Sequence, residues 1–241
     1  MKIKIFLSDS GWGPLVRQSA IVFELRRVFP KLKIVIQSNK NPSLIKRFFG
    51  DVKIVNSDNL IKWYHDNNGN IDMPKVTRYY RNYKTKSSKW FKKFTKDKNY
   101  DFFISDMSPE AFELGRKLKI PTFGICHFTW DWFFNQIFPP VISQKILNSW
   151  NQYQIKATKI FFPPLTPSGC LRLYPNNKNV DFILNTNIKN PDSNPIKDKT
   201  IKKKFKILII DSGDGVTTRA FKKIIKKNLN NKNIKLICQE K

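Results

Sequence analysis

KIKIFLSDSGWGPLVR, residues 2–17, runs an alternating apolar segment into a turn that holds two glycines, a proline and then an arginine. The first seven of these residues, 2–8, predict a buried strand, and the pattern that follows predicts a helix from about Leu15 to Phe29, with Val16, Ala20, Phe23 and Val28 near helical spacing. Gly11 and Gly13 let the chain turn sharply out of the strand and bring its N–H groups, with those of the helix's first turn, against an anion. Arg17 can point its guanidinium at the same crevice. The pattern G-x-G also suits a tight strand-to-helix turn that holds no ligand. The full dinucleotide fingerprint fails, because Val16 stands where a third Gly or an Ala is required.

Outward from this turn the order repeats, strand then helix. Strands are predicted at 32–38, 51–57, 100–106, 120–128, 159–164 and 179–185, and helices at about 42–49, 109–118, 130–138 and 140–156. The segment 74–99 reads as one long amphipathic helix. Val76, Tyr80, Tyr83, Trp90, Phe91 and Phe94 lie along one stripe, and the other face is rich in Lys and Arg. Such alternation predicts an α/β, Rossmann-like, mainly parallel sheet with helices on both faces, and ligands at the carboxyl ends of its strands. Residues 1–185 form this domain. Residues 186–204, polar, proline-punctuated and lysine-rich, read as a linker. From 205 to 241 a strand, a "SGDG" turn, a helix and a strand read as the truncated start of a second α/β unit.

The chain has 241 residues and a formal charge of +27. Lysine and asparagine usage fits a genome rich in A and T, yet glutamate codons fit it equally and only Glu24, Glu110, Glu113 and Glu240 occur. The shortage of acid therefore remains, and a surface this basic attracts nucleic acid, acidic lipid headgroups or phosphorylated substrates. Nucleic acid is the disfavoured member, because lysine dominates over arginine in 74–99 and no recognition module surrounds it. No apolar run reaches the length of a membrane helix, and Met1 leads into a strand-like segment rather than a signal peptide's apolar block. The expected location is cytoplasmic, with the inner face of the plasma membrane as a peripheral site. Three scattered cysteines and two histidines offer no metal-ligand spacing, and no metal or cofactor is expected.

A second stretch, DFFISDMSPEAFELGRKLKIPTFGICHFTWDW at 101–132, carries the remaining candidates. Asp106 ends a strand, and the next strand ends in HFTWDW. If the two strands are parallel, Asp106, His127 and Asp131 converge on one edge as catalytic candidates, and Trp130 offers a ring for a sugar. Helix capping suits Asp106 and Asp131 as well, and a hydrogen-bonded neutral imidazole suits His127.

Together, SGWGPLVRQ and ISDMSPEAFELGRKLKIPTFGICHFTWDWFF resemble the N-terminal half of GT-B glycosyltransferases, in particular the branch related to the N-terminal region of plant arabinokinases. The resemblance covers residues 1 to about 185. That family opens with a turn of the form G-H-G-x-G-H-A-T-R and later carries an S-D segment and a strand ending in N-F-T/S-W-D. Gly11, Gly13 and Arg17 match the turn, Asp106 the S-D aspartate, and Trp130 with Asp131 the W-D pair. Pro14 stands where the family has its second histidine, and His127 replaces the usual asparagine, which makes His127 the candidate base. The resemblance implies transfer of a sugar from a nucleotide-sugar to an acceptor hydroxyl. Gly11, Gly13, Arg17 and Trp130 would bind acceptor or phosphate, and the donor domain would be incomplete in this chain. The implied partners are a sugar acceptor and the nucleotide-sugar once a donor domain is supplied; the basic surface, for its part, suits a lipid-linked acceptor and an anionic membrane surface. A non-catalytic acceptor-binding module, or half of a split transferase, is the alternative.

Overall fold

The computed structural model describes residues 1–9, 11–56, 60–66, 70–96 and 98–183, together with the backbone of 205–209 and 234–238. Spatial contacts divide the chain into two units, Met1–Trp63 with Met73–Asn185, and Tyr64–Asp72 with Thr186–Lys241.

In the first unit, seven strands form one sheet: β1 Lys2–Phe6, β2 Lys33–Gln37, β3 Lys53–Val55, β4 Phe102–Ser105, β5 Thr122–Ile125, β6 Lys159–Phe162 and β7 Asn177–Asn179. Their order is β3-β2-β1-β4-β5-β6-β7, and every neighbouring pair is parallel. β1 lies inside the sheet between β2 and β4, and its alternation feeds both faces. Ile3 and Ile5 join a cluster with Leu15 and Val22 of α1 (Gly13–Val28) and Ile45 and Phe49 of α2 (Pro42–Phe49). Lys4 and Phe6 face the opposite side. There Phe6 meets Trp90, and the buried Lys4 ammonium lies 4.6 Å from the ring centre of Phe94, both aromatics on α4 (Tyr83–Phe94). A cation between two layers is tolerated because aromatic faces replace part of its hydration.

The remaining helices of this unit are α3 (Met73–Tyr80), α5 (Pro109–Leu118), α6 (Trp130–Asn135), α7 (Gln144–Ile155) and α8 (Ser168–Leu171). Pro42 and Pro109 each open a helix at its first position, where a missing N–H costs nothing. The long helix expected at 74–99 is instead two helices, broken at Arg81 and Asn82, where Asn82 leaves helical geometry at φ −103° and ψ 19°. The apolar stripe continues in phase across the break, so periodicity alone concealed it. The last strand of the sheet is also shifted: it lies at Asn177–Asn179, an edge strand of polar residues, rather than over the apolar run 179–185.

In the second unit, β8 (Phe205–Ile209) pairs in parallel with β9 (Ile234–Cys238). The predicted linker, the SGDG turn and the helix between these strands lie outside the described residues. No helix among the described residues is long and apolar enough to cross a membrane.

Candidate functional site

The strand order reverses between β1 and β4, so the loops leaving their carboxyl ends diverge and open a crevice there. Arg17, on the first turns of α1, and Asp106, just past β4, span it. Arg17 Nη2 lies 2.9 Å from both carboxylate oxygens and its Nε donates at 3.1 Å. Gln18 adds a 2.9 Å bond from Nε2 to the same carboxylate. Asp106 is wholly buried, and its backbone N–H bonds the Phe6 carbonyl of β1. Burial alone would lower the Arg17 pKa. The charge of Asp106 and its hydrogen bonds outweigh that and raise it, so the guanidinium is fixed as a cation.

The glycine turn is held from the neighbouring loop. Asp9 accepts from Ser38 Oγ, the Asn39 backbone N–H and Asn39 Nδ2, while Lys40 Nζ donates to the Asp9 and Gly11 carbonyls at 2.8 and 2.6 Å. Burial depresses the Lys40 pKa, and the charges of Asp9 and Asp106 act the other way. Carbonyls thus turn toward Lys40. The first turn of α1 has no acidic residue and no side-chain cap. Gly11 adopts φ 64°, and a Cβ added at Gly11 or Gly13 would meet nothing within 4 Å. Internal packing therefore does not require glycine at Gly13. The bare backbone leaves the positive end of α1 open to an approaching group.

His127 follows β5 on the same edge. Burial first, then the Arg17 cation, pull its pKa below the usual imidazole value, while the Pro164 carbonyl that it bonds and the Asp106 charge raise it. The net result is a neutral ring at pH 7. Beyond it, past the ends of β6 and β7, lies an open cavity of 450 Å³ walled by Phe162, Pro163, Pro164 and Val180, with Thr166 and Asp181 on its lining.

The structure brings Gly11, Gly13, Arg17, Asp106 and His127 to the carboxyl edge of the sheet, and it places Trp130 and Asp131 differently. Trp130 is 2% exposed, packed against Trp63, Phe128 and Phe133, so no ring face is available to stack on a sugar. Asp131 is buried too. Its oxygens accept from Tyr174 Oη at 2.6 Å, from Gln154 Nε2 at 2.9 Å and from Asn151 Nδ2 at 3.2 Å, which ties α6 to α7 and to the segment before β7. Its expected convergence with Asp106 and His127 as an accessible carboxylate is therefore corrected. Neither aspartate is an N-cap: Ser108 and Thr129 hold those positions. Lys40, Gln18 and Tyr174 were not singled out by sequence. Lys40 is one lysine among 36, and no local pattern marks it.

No family model and no curated protein matches the chain. Solved structures do. A putative UDP-N-acetylglucosamine 2-epimerase from Listeria monocytogenes superposes with a TM-score of 0.57 at 12% identity, over 100% of this chain and 62% of that one. The glycotransferase of kitacinnamycin gives 0.56 at 12% identity, over 99% and 65%. Phytolacca americana UGT2, solved with UDP-2fluoro-glucose and pterostilbene, gives 0.51 at 11% identity, over 100% and 71%. The fold is of the GT-B kind. At such identities the likeness concerns the fold alone, and the chain spans between 62% and 71% of these three proteins.

Proposed function

We propose that this chain is the acceptor-side half of a GT-B glycosyltransferase, with residues 205–241 beginning its donor-side half. The reaction moves a sugar from a nucleotide-sugar to an acceptor hydroxyl. The observation that carries this reading is the crevice at the strand-order reversal. There a charge-fixed Arg17 underlies an uncapped helix terminus and a neutral His127 stands on the same edge.

In this reading His127 takes the proton as the acceptor oxygen bonds the anomeric carbon and the bond from that carbon to the diphosphate breaks. The leaving diphosphate gains negative charge. The amides of the α1 first turn and the cations Arg17 and Lys40 oppose that charge in place before the reaction begins. Asp106 touches no substrate. It is a positioning residue that fixes Arg17, and the 450 Å³ cavity holds the acceptor. The branch similarity to plant arabinokinases rests on the SGWGPLVRQ and HFTWDW motifs.

The test is single-turnover incubation of the full chain, supplied with a complete GT-B donor domain, with a panel of nucleotide-sugars and hydroxyl acceptors, read by mass spectrometry. Product that falls on the order of 100-fold or more in His127→Ala supports the assignment of the base. Binding of acceptor without product, unchanged in that variant, supports instead a non-catalytic acceptor-binding module.

A further inference from the structure

We propose that the solvent face of α3 and α4 is a docking surface for anionic lipid bilayers. This inference does not rest on the transferase reading. From Met73 to Lys96 the sequence holds nine lysines and arginines and no aspartate or glutamate. The helices bury Tyr80, Tyr83, Trp90, Phe91 and Phe94, while Tyr79 is half-buried with the Lys86 ammonium 3.6 Å over its ring. The outward face is left to Arg78, Arg81, Lys84, Lys89, Lys92 and Lys96, all exposed and separated by Thr77, Thr85 and Ser88. None of these six cations makes an ion pair among the described residues.

This arrangement is costly for the fold by itself. Lys89 and Lys92 are three apart on α4, so like charges repel along the helix with no acid to relieve them. α4 alone extends about 18 Å at 1.5 Å per residue, with Lys84, Lys89 and Lys92 exposed along it. A plane of phosphate headgroups attracts all of these cations together. Single-stranded nucleic acid binding draws on exposed aromatic faces between the cations, and here all the rings but Tyr79 are buried, with the Tyr79 ring already covered by the Lys86 ammonium. Lysine predominates, which suits diffuse attraction to a charged plane better than bidentate capture of single phosphates. The contact is electrostatic without insertion, because no large apolar side chain of α3 or α4 is among the exposed ones.

The experiment is flotation of the full chain with vesicles of phosphatidylcholine alone, or with 30 mole percent phosphatidylglycerol, at low and high salt. We expect binding to the anionic vesicles only, with release at high salt. The variant K84Q/K89Q/K92Q should lose partitioning on the order of 100-fold. Its circular dichroism spectrum and melting temperature should match wild type, and K84R/K89R/K92R should retain binding. If the Gln variant does not fold, the single variants K84Q and K89Q should each weaken binding several-fold. Equal binding to neutral vesicles, undiminished binding by the folded Gln variants, or displacement from vesicles by equimolar oligonucleotide would each overturn the proposal. Loss of catalysis in His127→Ala leaves vesicle binding unchanged, so the two readings fail separately.

Discussion

Nη2 of Arg17 lies 2.9 Å from both carboxylate oxygens of Asp106, across 89 residues of sequence and across the one place where the sheet's strand order reverses. The pair joins the first turns of α1 to the end of β4, and it sets the width of the crevice between them. Because the carboxylate is fully buried, water cannot take the place of the guanidinium at it.

Removing one member should therefore cost far more than a surface ion pair would. Asp106→Ala leaves a buried cation unpaired, and we expect about 3–5 kcal/mol of lost stability in urea denaturation. Arg17→Met together with Asp106→Leu should recover much of it while abolishing anion binding. A loss below about 1 kcal/mol in the single variant would show that the pair is solvated.

The glycines divide in the same way. A Cβ at Gly115 would lie 1.9 Å from Thr122 Oγ1 and 2.8 Å from the Ile120 carbonyl, so Gly115→Ala should destabilise by roughly 1–3 kcal/mol or more through overpacking of α5 on β5. Gly13→Ala meets only open space and should leave the melting temperature nearly unchanged. Ligand affinity is where Gly13→Ala should show itself. Equal melting temperatures for the two variants would contradict the packing described here.

Glu110 sits fully buried beneath α4 and α7, accepting from Tyr83, whose hydroxyl in turn accepts from Trp150 Nε1 at 2.6 Å. Burial, the leading cause, raises its pKa above 4.5, while the bonds from Tyr83 and Ser108 act in the opposite direction. A raised carboxyl favours its protonated form in the folded state. Its contribution is present below the unfolded pKa and declines as pH rises through the folded one. Glu110→Gln should therefore gain stability relative to wild type between pH 4 and pH 7. A gap that stays flat or moves the other way in a pH series of urea melts would refute this.

Tyr174 anchors the opposite end of the sheet by donating to Asp131 and contacting Thr129 Oγ1 at 2.9 Å. Tyr174→Phe leaves the Asp131 carboxylate short of a donor, with an expected loss of about 1–3 kcal/mol. Amide exchange should quicken first in α6. Wild-type exchange in the variant would mean that Gln154 and Asn151 suffice.

Much of this was legible in the sequence. α2 and α5 begin at prolines in a position only a first turn accepts, and the apolar alternation of KIKIF and the parallel sheet follow from strand and helix periods. The pairing of Arg17 with Asp106 was not legible, because each charge alone reads as a group facing a ligand and only the register of β1 on β4 brings them together. For the same reason Asp131 and Trp130 looked functional: a W-D pair at a strand's end carries no mark of which way α6 will roll. β7 was misplaced because an edge strand with one partner needs no apolar pattern.

The central claim is that the crevice between β1 and β4 receives the phosphates of a nucleotide-sugar. A ¹⁵N amide titration of the full chain with inorganic diphosphate, which needs no donor domain, measures it most directly. The account predicts the largest shifts at Gly11, Gly13, Leu15 and His127, and their loss in Arg17→Met. Saturable shifts confined to segments away from these residues, with Gly13 and His127 unmoved, would contradict it.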